Sequence, residues 1–137
     1  MNIINTNKVY KSSNRLLYSC QYHVIWCPKY RRKVLTPLIQ DRFKSIVLEH
    51  QIEYEYSIIE QEVMLDHVHL LIDVNPKIGI YKVVSLIKGI TSRILREEFP
   101  ELKSKLPTLW TNSKFISSVG SISLETVKKY IENQKNV

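Results

Sequence analysis

Apolar residues in this chain recur at a spacing that switches between two and about 3.6 residues. The order of those switches restricts the fold more than any single motif does. From Leu16 to Cys27, Tyr18, Cys20, Tyr22, Val24 and Trp26 alternate with Ser19, Gln21, His23, Ile25 and Cys27. That period of two predicts a strand. Thr36 then stands at an N-cap position with Pro37 at the first helical residue, and Leu38, Ile39, Phe43, Ile46, Val47 and His50 follow at helical spacing. Further strands are expected over about Tyr54–Met64 and His67–Val74; in the second, His67, His69, Leu71 and Asp73 alternate with Val68, Leu70, Ile72 and Val74. Between Ile78 and Phe99, residues Ile80, Val83, Val84, Ile87, Ile90 and Ile94 form one helical stripe, which Pro100 stops. A short strand over Phe115–Val119 and a helix from Ser123 or Leu124 through Gln134 complete the series.

The order is β-α-β-β-α-β-α. Its first six elements are those of an α+β, ferredoxin-like (RRM-like) sandwich, an antiparallel sheet with helices packed on one face. The seventh is an added C-terminal helix. At 137 residues the chain is expected to form a single domain over 1–137. The longest run without a charged side chain, Leu16–Pro28, is 13 residues, short of the ~20 that cross a bilayer as a helix. Cys20 and Cys27 fit neither a disulfide framework nor a zinc ribbon, and the first fifteen residues contain no apolar core of a secretory leader. A cytoplasmic protein with reduced thiols is the expectation.

Charge is unevenly spread. Residues 1–40 carry seven bases and no acid, residues 41–75 two bases and eight acids, and residues 76–137 eleven bases and five acids. The net charge of +7 favours a polyanionic partner, with the cationic surface supplied by the two ends of the chain. Lys29-Tyr30-Arg31-Arg32-Lys33 joins cations to an aromatic ring, a composition suited to phosphate contact with base stacking and equally to a solvated loop at a strand end.

Two clusters could do chemistry. On a strand, His67 and His69 emerge on one face while Val68 enters the other; neutral imidazoles in that arrangement suit a divalent metal or are simply two half-exposed strand histidines. Asp66 beside them either orients an imidazole or ends a turn. His23 fits a hydrogen-bonded sheet histidine better than a ligand. On the last helix Tyr130 and Gln134 lie one turn apart on one face. A tyrosine can be a covalent nucleophile and an amide oxygen can ligate a hard cation, although an ordinary amphipathic helix would look similar. Trp26 and Trp110 read as core. The three glycines are isolated, so no phosphate-cradling loop is present and nucleotide hydrolysis is disfavoured.

Taken in order and spacing, YHVIWCPKYRRKVL (Tyr22–Leu35), DHVHLLI (Asp66–Ile72), LIKGITSRILREEFP (Leu86–Pro100), LW (Leu109–Trp110), FISSVG (Phe115–Gly120) and YIENQ (Tyr130–Gln134) resemble the single-tyrosine HUH transposases of small insertion sequences, the TnpA type that moves single-stranded DNA. Lys114 stands where an aromatic is common in that family, and Ser118 where threonine is common. The resemblance implies Tyr130 as nucleophile and His67, His69 and Gln134 as ligands of Mg²⁺ or Mn²⁺. It also implies hairpin-bearing single-stranded DNA as substrate, a 5′-phosphotyrosine intermediate, and a homodimer whose active sites are shared between chains. A non-catalytic ferredoxin-like module binding single-stranded nucleic acid is the alternative on charge and fold alone, and a domesticated relative processing chromosomal repeat hairpins would share the same chemistry.

Overall fold

The computed structural model describes residues 11–13, 16–119 and 124–135. Its centre is a four-stranded antiparallel sheet in the order β4(Tyr56–Val63), β5(Val68–Val74), β3(Gln21–Trp26), β6(Phe115–Ser118). With helices α1(Pro37–Glu49) and α2(Ile80–Glu98) inserted as crossovers, this is the ferredoxin-like arrangement the period switches predict. β3 lies between β5 and β6, pairing Ile25 with both His69 and Phe115.

Alternation decides which face each residue takes. Val24 and Trp26 of β3, with Val68, Leu70, Ile72 and Val74 of β5, point toward α1 and α2 and join Phe43, Ile46, Val83, Val84 and Ile87 in one buried core. Trp26 and Trp110 are core residues, as the sequence suggests. Their rings meet Phe43 edge-on, with centroids 5.8–6.0 Å apart, a favoured geometry for aromatic quadrupoles. Trp110 also donates its indole N–H to Thr91 Oγ1 at 3.1 Å.

Several elements differ from the sequence-based expectation. The predicted strand over 16–27 is broken: β2(Leu16–Tyr18) pairs with β1(Lys11–Ser13) in a separate two-stranded sheet, and β3 starts at Gln21. Asp73 Oδ1 accepts the Cys20 N–H at 3.2 Å, and the Cys20 carbonyl accepts the Val74 N–H at 3.0 Å. These bonds fix the corner between the two sheets. β4 begins at Tyr56, not Tyr54, because a turn with Glu55 at φ 55° precedes it. α2 begins at Ile80, since Gly79 holds φ 86°, a conformation glycine adopts without a Cβ penalty. Pro100 ends α2 but also opens a short helix, α3(Glu101–Lys105). Thr36 is the N-cap of α1 without a side-chain bond, and Leu38 is 69% exposed rather than part of the apolar stripe.

Helix α4(Leu124–Glu132) packs on the opposite face of the sheet from α1 and α2. The ring of Tyr130 lies 5.4 Å from that of Phe115. Phe115 stands opposite Ile25 in the β3–β6 register, so both belong to the outer face. Ile25 and Cys27 are fully buried there, apart from the main core. Gly120, the end of the FISSVG segment, and Ser123, one of the two expected helix starts, lie outside the described residues.

Candidate active site

The end of the outer face where β3 finishes and β5 starts gathers most of the residues singled out from sequence. His67 immediately precedes β5 rather than lying on it. It donates from Nδ1 to Asp66 Oδ1 at 2.9 Å. That bond orients the imidazole and leaves Nε2 as its second nitrogen, the orienting role foreseen for Asp66. The second Asp66 oxygen accepts from Arg31 Nε at 3.1 Å. His69 faces outward from β5 and shares a hydrogen bond of 3.0 Å between its Nε2 and His23 Nδ1. His23 is thus a hydrogen-bonded sheet histidine, and it leaves His69 only Nδ1 uncommitted. Burial and the neighbouring His23 hold the His69 pKa below its ordinary value, which keeps the ring neutral, the form that ligates metals.

Tyr130 of α4 lies on this face and at this end of the sheet, whereas the helix stops at Glu132 instead of running through Gln134 as expected, and Gln134 lies in the turn that follows, its N–H donating to the Ile131 carbonyl at 3.2 Å. Tyr130 Oη is 3.1 Å from Ser113 Oγ. Burial pushes the phenol up to about 12 against the pull of that hydrogen bond. Gln134 is 5% exposed, and its Oε1 has no hydrogen-bond partner among the described residues. A buried amide oxygen without a donor costs about 1–3 kcal/mol, and a cation would satisfy it. Among the described residues no group of three or more His, Cys, Asp or Glu side chains forms a metal cage. His67 Nε2, oriented by a carboxylate, and Gln134 Oε1, orphaned in a buried position, fit a borderline-to-hard divalent ion.

Sequence reasoning missed the place of Lys88 in this region. Lys88 of α2 reaches past the apolar stripe and donates to the backbone carbonyls of Thr111 at 2.6 Å and Ser113 at 3.3 Å. Burial, with Lys114 nearby, lowers its pKa to about 8. It anchors the loop that presents Ser113 to Tyr130. Cys27, buried beside them, has its thiol pushed up to about 12 by burial and by the Asp66 charge, so it is an inert thiol. A helical stripe cannot reveal where a long lysine stem will end.

The cationic run divides by direction. Tyr30 is 43% exposed with Lys29 Nζ 5.1 Å from its ring centroid, and Arg32 and Lys33 are exposed. Arg31 turns inward to Asp66. Lys114 lies over the Tyr81 ring, 4.4 Å from its centroid. No helix among the described residues is long and apolar enough to cross a membrane.

The chain resembles known proteins over most of its length. The family described as "Transposase IS200 like" matches residues 16–134. The chain is 36% identical over 126 residues to the ISDra2 transposase TnpA of Deinococcus radiodurans, covering 90% of each protein. It is 29% identical over 126 residues to the transposase for insertion sequence element IS200 of Salmonella typhimurium, covering 90% of this chain and 82% of that one. A crystal structure of a proposed transposase from Deinococcus radiodurans R1 superposes with a TM-score of 0.83 at 32% identity, over 93% of this chain and 99% of the other. A REP-associated tyrosine transposase bound to a REP hairpin shares the fold, with a TM-score of 0.50 at 10% identity, over 90% of this chain and 70% of that one.

Proposed function

Since the chain belongs to the IS200-like transposase family, we propose that it cleaves and rejoins single-stranded DNA at the hairpin ends of a mobile element, with Tyr130 as nucleophile. One observation carries this reading. The Tyr130 hydroxyl sits on the same face and end of the sheet as the Asp66-oriented His67, and four residues on, in the turn after α4, Gln134 holds a buried amide oxygen with no partner among the described residues. A non-catalytic binding module has no use for that set.

The phenolate oxygen of Tyr130 attacks the scissile phosphorus. The new P–O bond to tyrosine forms as the bond to the 3′ oxygen breaks, and the leaving oxygen takes a proton to become a free 3′-hydroxyl. The downstream strand is left as a 5′-phosphotyrosine. Attack by a 3′-hydroxyl on that linkage reverses the exchange, so rejoining needs no external energy source. His67, His69 and Gln134 would hold a divalent metal, and Mg²⁺ or Mn²⁺ would supply Lewis-acid neutralisation of the phosphate charge. Tyr30, Arg32 and Lys33, with the half-buried Lys29 beside them, offer a surface for the DNA strand, with Tyr30 available for base stacking.

Incubation with hairpin-bearing single-stranded DNA in Mg²⁺ or Mn²⁺, followed by mass spectrometry of the covalent adduct, tests this. A 5′-phosphate ester on Tyr130 is expected; an adduct on any other residue, or cleavage without an adduct, removes the assignment.

Joining two ends needs two nucleophiles, which a C₂ homodimer provides. In the single chain α4 rests on its own sheet, with Tyr130 bonded to Ser113 and Arg31 bonded to the Ile131 carbonyl. The working arrangement proposed here is the exchanged one, in which His67 and His69 of one protomer meet Tyr130 of its partner. A His67→Ala/His69→Ala chain mixed with a Tyr130→Phe chain is then expected to regain cleavage that neither has alone. No recovery after demonstrated subunit exchange would place each site within one chain.

A further inference from the structure

The geometry points to Arg31 as a positioning residue: its guanidinium joins the carboxylate that holds His67 to the α4 resting on the same sheet, so one side chain sets where the docked helix lies against His67, whether that helix is the chain's own or, in the exchanged dimer, the partner's. This rests on the reading of His67 and Tyr130 given above and adds to it a residue that neither metal binding nor nucleophilic attack requires.

Three contacts form the clasp. Arg31 Nε donates to Asp66 Oδ2 at 3.1 Å, the other Asp66 oxygen accepts from His67 Nδ1 at 2.9 Å, and Arg31 Nη1 donates to the Ile131 carbonyl at 3.1 Å. Ile131 is adjacent to Tyr130 in the last turn of α4. The Ile131 carbonyl also accepts the Gln134 N–H at 3.2 Å; it lies at the negative end of the helix dipole, so a guanidinium is a suitable second donor to it. The side chains of Arg31 and Asp66 are each only 17% exposed. Partial burial strengthens the pair relative to a surface salt bridge.

The backbone is bent to achieve this. Tyr30 and Arg31 take φ of 60° and 50° in succession, a left-handed conformation that residues with a Cβ avoid. The turn is held by bonds from Lys29 N to Leu109 O at 2.9 Å and from Arg31 N to Pro28 O at 2.8 Å. Strain of this kind persists where the surroundings demand it. Its consequence is that Arg31 points inward while Arg32 and Lys33 remain exposed. A residue serving only to bind phosphate would need no such bend. Lysine cannot substitute, because a single ammonium lacks the fork that spans a carboxylate and a carbonyl together.

The test uses the full chain without DNA. In Arg31→Gln, hydrogen exchange at the amides of Asn133 and Gln134, which close the last turn on Lys129 and Ile131, is expected to be about tenfold faster. The affinity for Mn²⁺ alone, by titration, should fall about 10- to 100-fold, as when the partner of a ligating histidine is removed. Arg31→Lys, which preserves charge and guards against a misfolded variant, should recover less than half of the exchange protection. Arg32→Gln should change neither quantity but should lower the salt dependence of hairpin binding. Exchange and Mn²⁺ affinity left unchanged in Arg31→Gln, with a reduced salt slope, would make Arg31 a phosphate contact and overturn the clasp. If the unsubstituted protein binds no Mn²⁺, the metal assignment fails, and faster or unchanged exchange in Arg31→Gln still decides whether Arg31 holds α4.

Discussion

Tyr130→Phe is expected to lower DNA cleavage by at least about 10⁴-fold while leaving the fold intact, the scale seen when a covalent nucleophile is removed. The substitution deletes one oxygen, whose recorded bond is to Ser113 Oγ at 3.1 Å; a hydrogen bond of this sort contributes about 1 kcal/mol net. The ring contact with Phe115 is preserved. Circular dichroism and hairpin binding should therefore match the unsubstituted protein. The pH dependence carries a definite sign. The reactive form is the phenolate, and burial holds the phenol at about 12, so only about 10⁻⁵ of it is ionised at pH 7. Cleavage by the unsubstituted protein should rise between pH 7 and 9, approaching tenfold per unit where deprotonation is unassisted. Ser113→Ala, which removes the bond that favours the ionised form, should move the profile toward higher pH. Substantial cleavage by Tyr130→Phe, or a rate that falls over pH 7–9, would end the assignment of this hydroxyl.

The sequence made the sheet and the two long helices legible because each buries one face, and burial on one face leaves a periodic trace. The same alternation put His67 and His69 on the side of the sheet away from Val68, and helical spacing put Tyr130 beside Gln134. What period could not show falls into three kinds. β1 and β2 are three residues each, too short to establish a repeat, so β2 merged with β3 and β1 was not foreseen. Pro100 reads as a stop, yet its fixed φ also suits the start of α3. The clasp at Arg31 depends on two positive φ values at residues that are neither glycine nor asparagine, which no composition rule foretells. From sequence Arg31 is one cation in a run of four; only the bend distinguishes it. Lys88 escaped notice for a related reason: its Cα lies off the apolar stripe, and its stem carries the ammonium to the Thr111 and Ser113 carbonyls.

Phe43→Ala should be the most damaging single truncation outside the site, costing about 3–5 kcal/mol of stability. Phe43 is fully buried on α1, and its ring packs edge-on against both Trp26, at 6.0 Å, and Trp110, at 5.8 Å. Those two indoles come from opposite parts of the chain and also meet each other at 5.8 Å. Removing the ring leaves a void between rigid neighbours that cannot collapse without displacing the Trp110 N–H from Thr91. Set against a total of about 5–15 kcal/mol for a domain of this kind, the loss is a large share. It corresponds to a fall in Tm of roughly 10–20 °C. Damage should spread to the site, because Trp110 bridges to Pro28 and the Leu109 carbonyl holds the Lys29 N–H; both anchor the turn that aims Arg31. Phe43→Leu retains most of the volume and should cost about 1–2 kcal/mol. Thermal unfolding of the two variants separates the outcomes: equal losses would mean that the ring's fit between the indoles contributes nothing beyond its bulk, and a Tm within 3 °C of the unsubstituted protein for Phe43→Ala would show that the core does not depend on this aromatic triad.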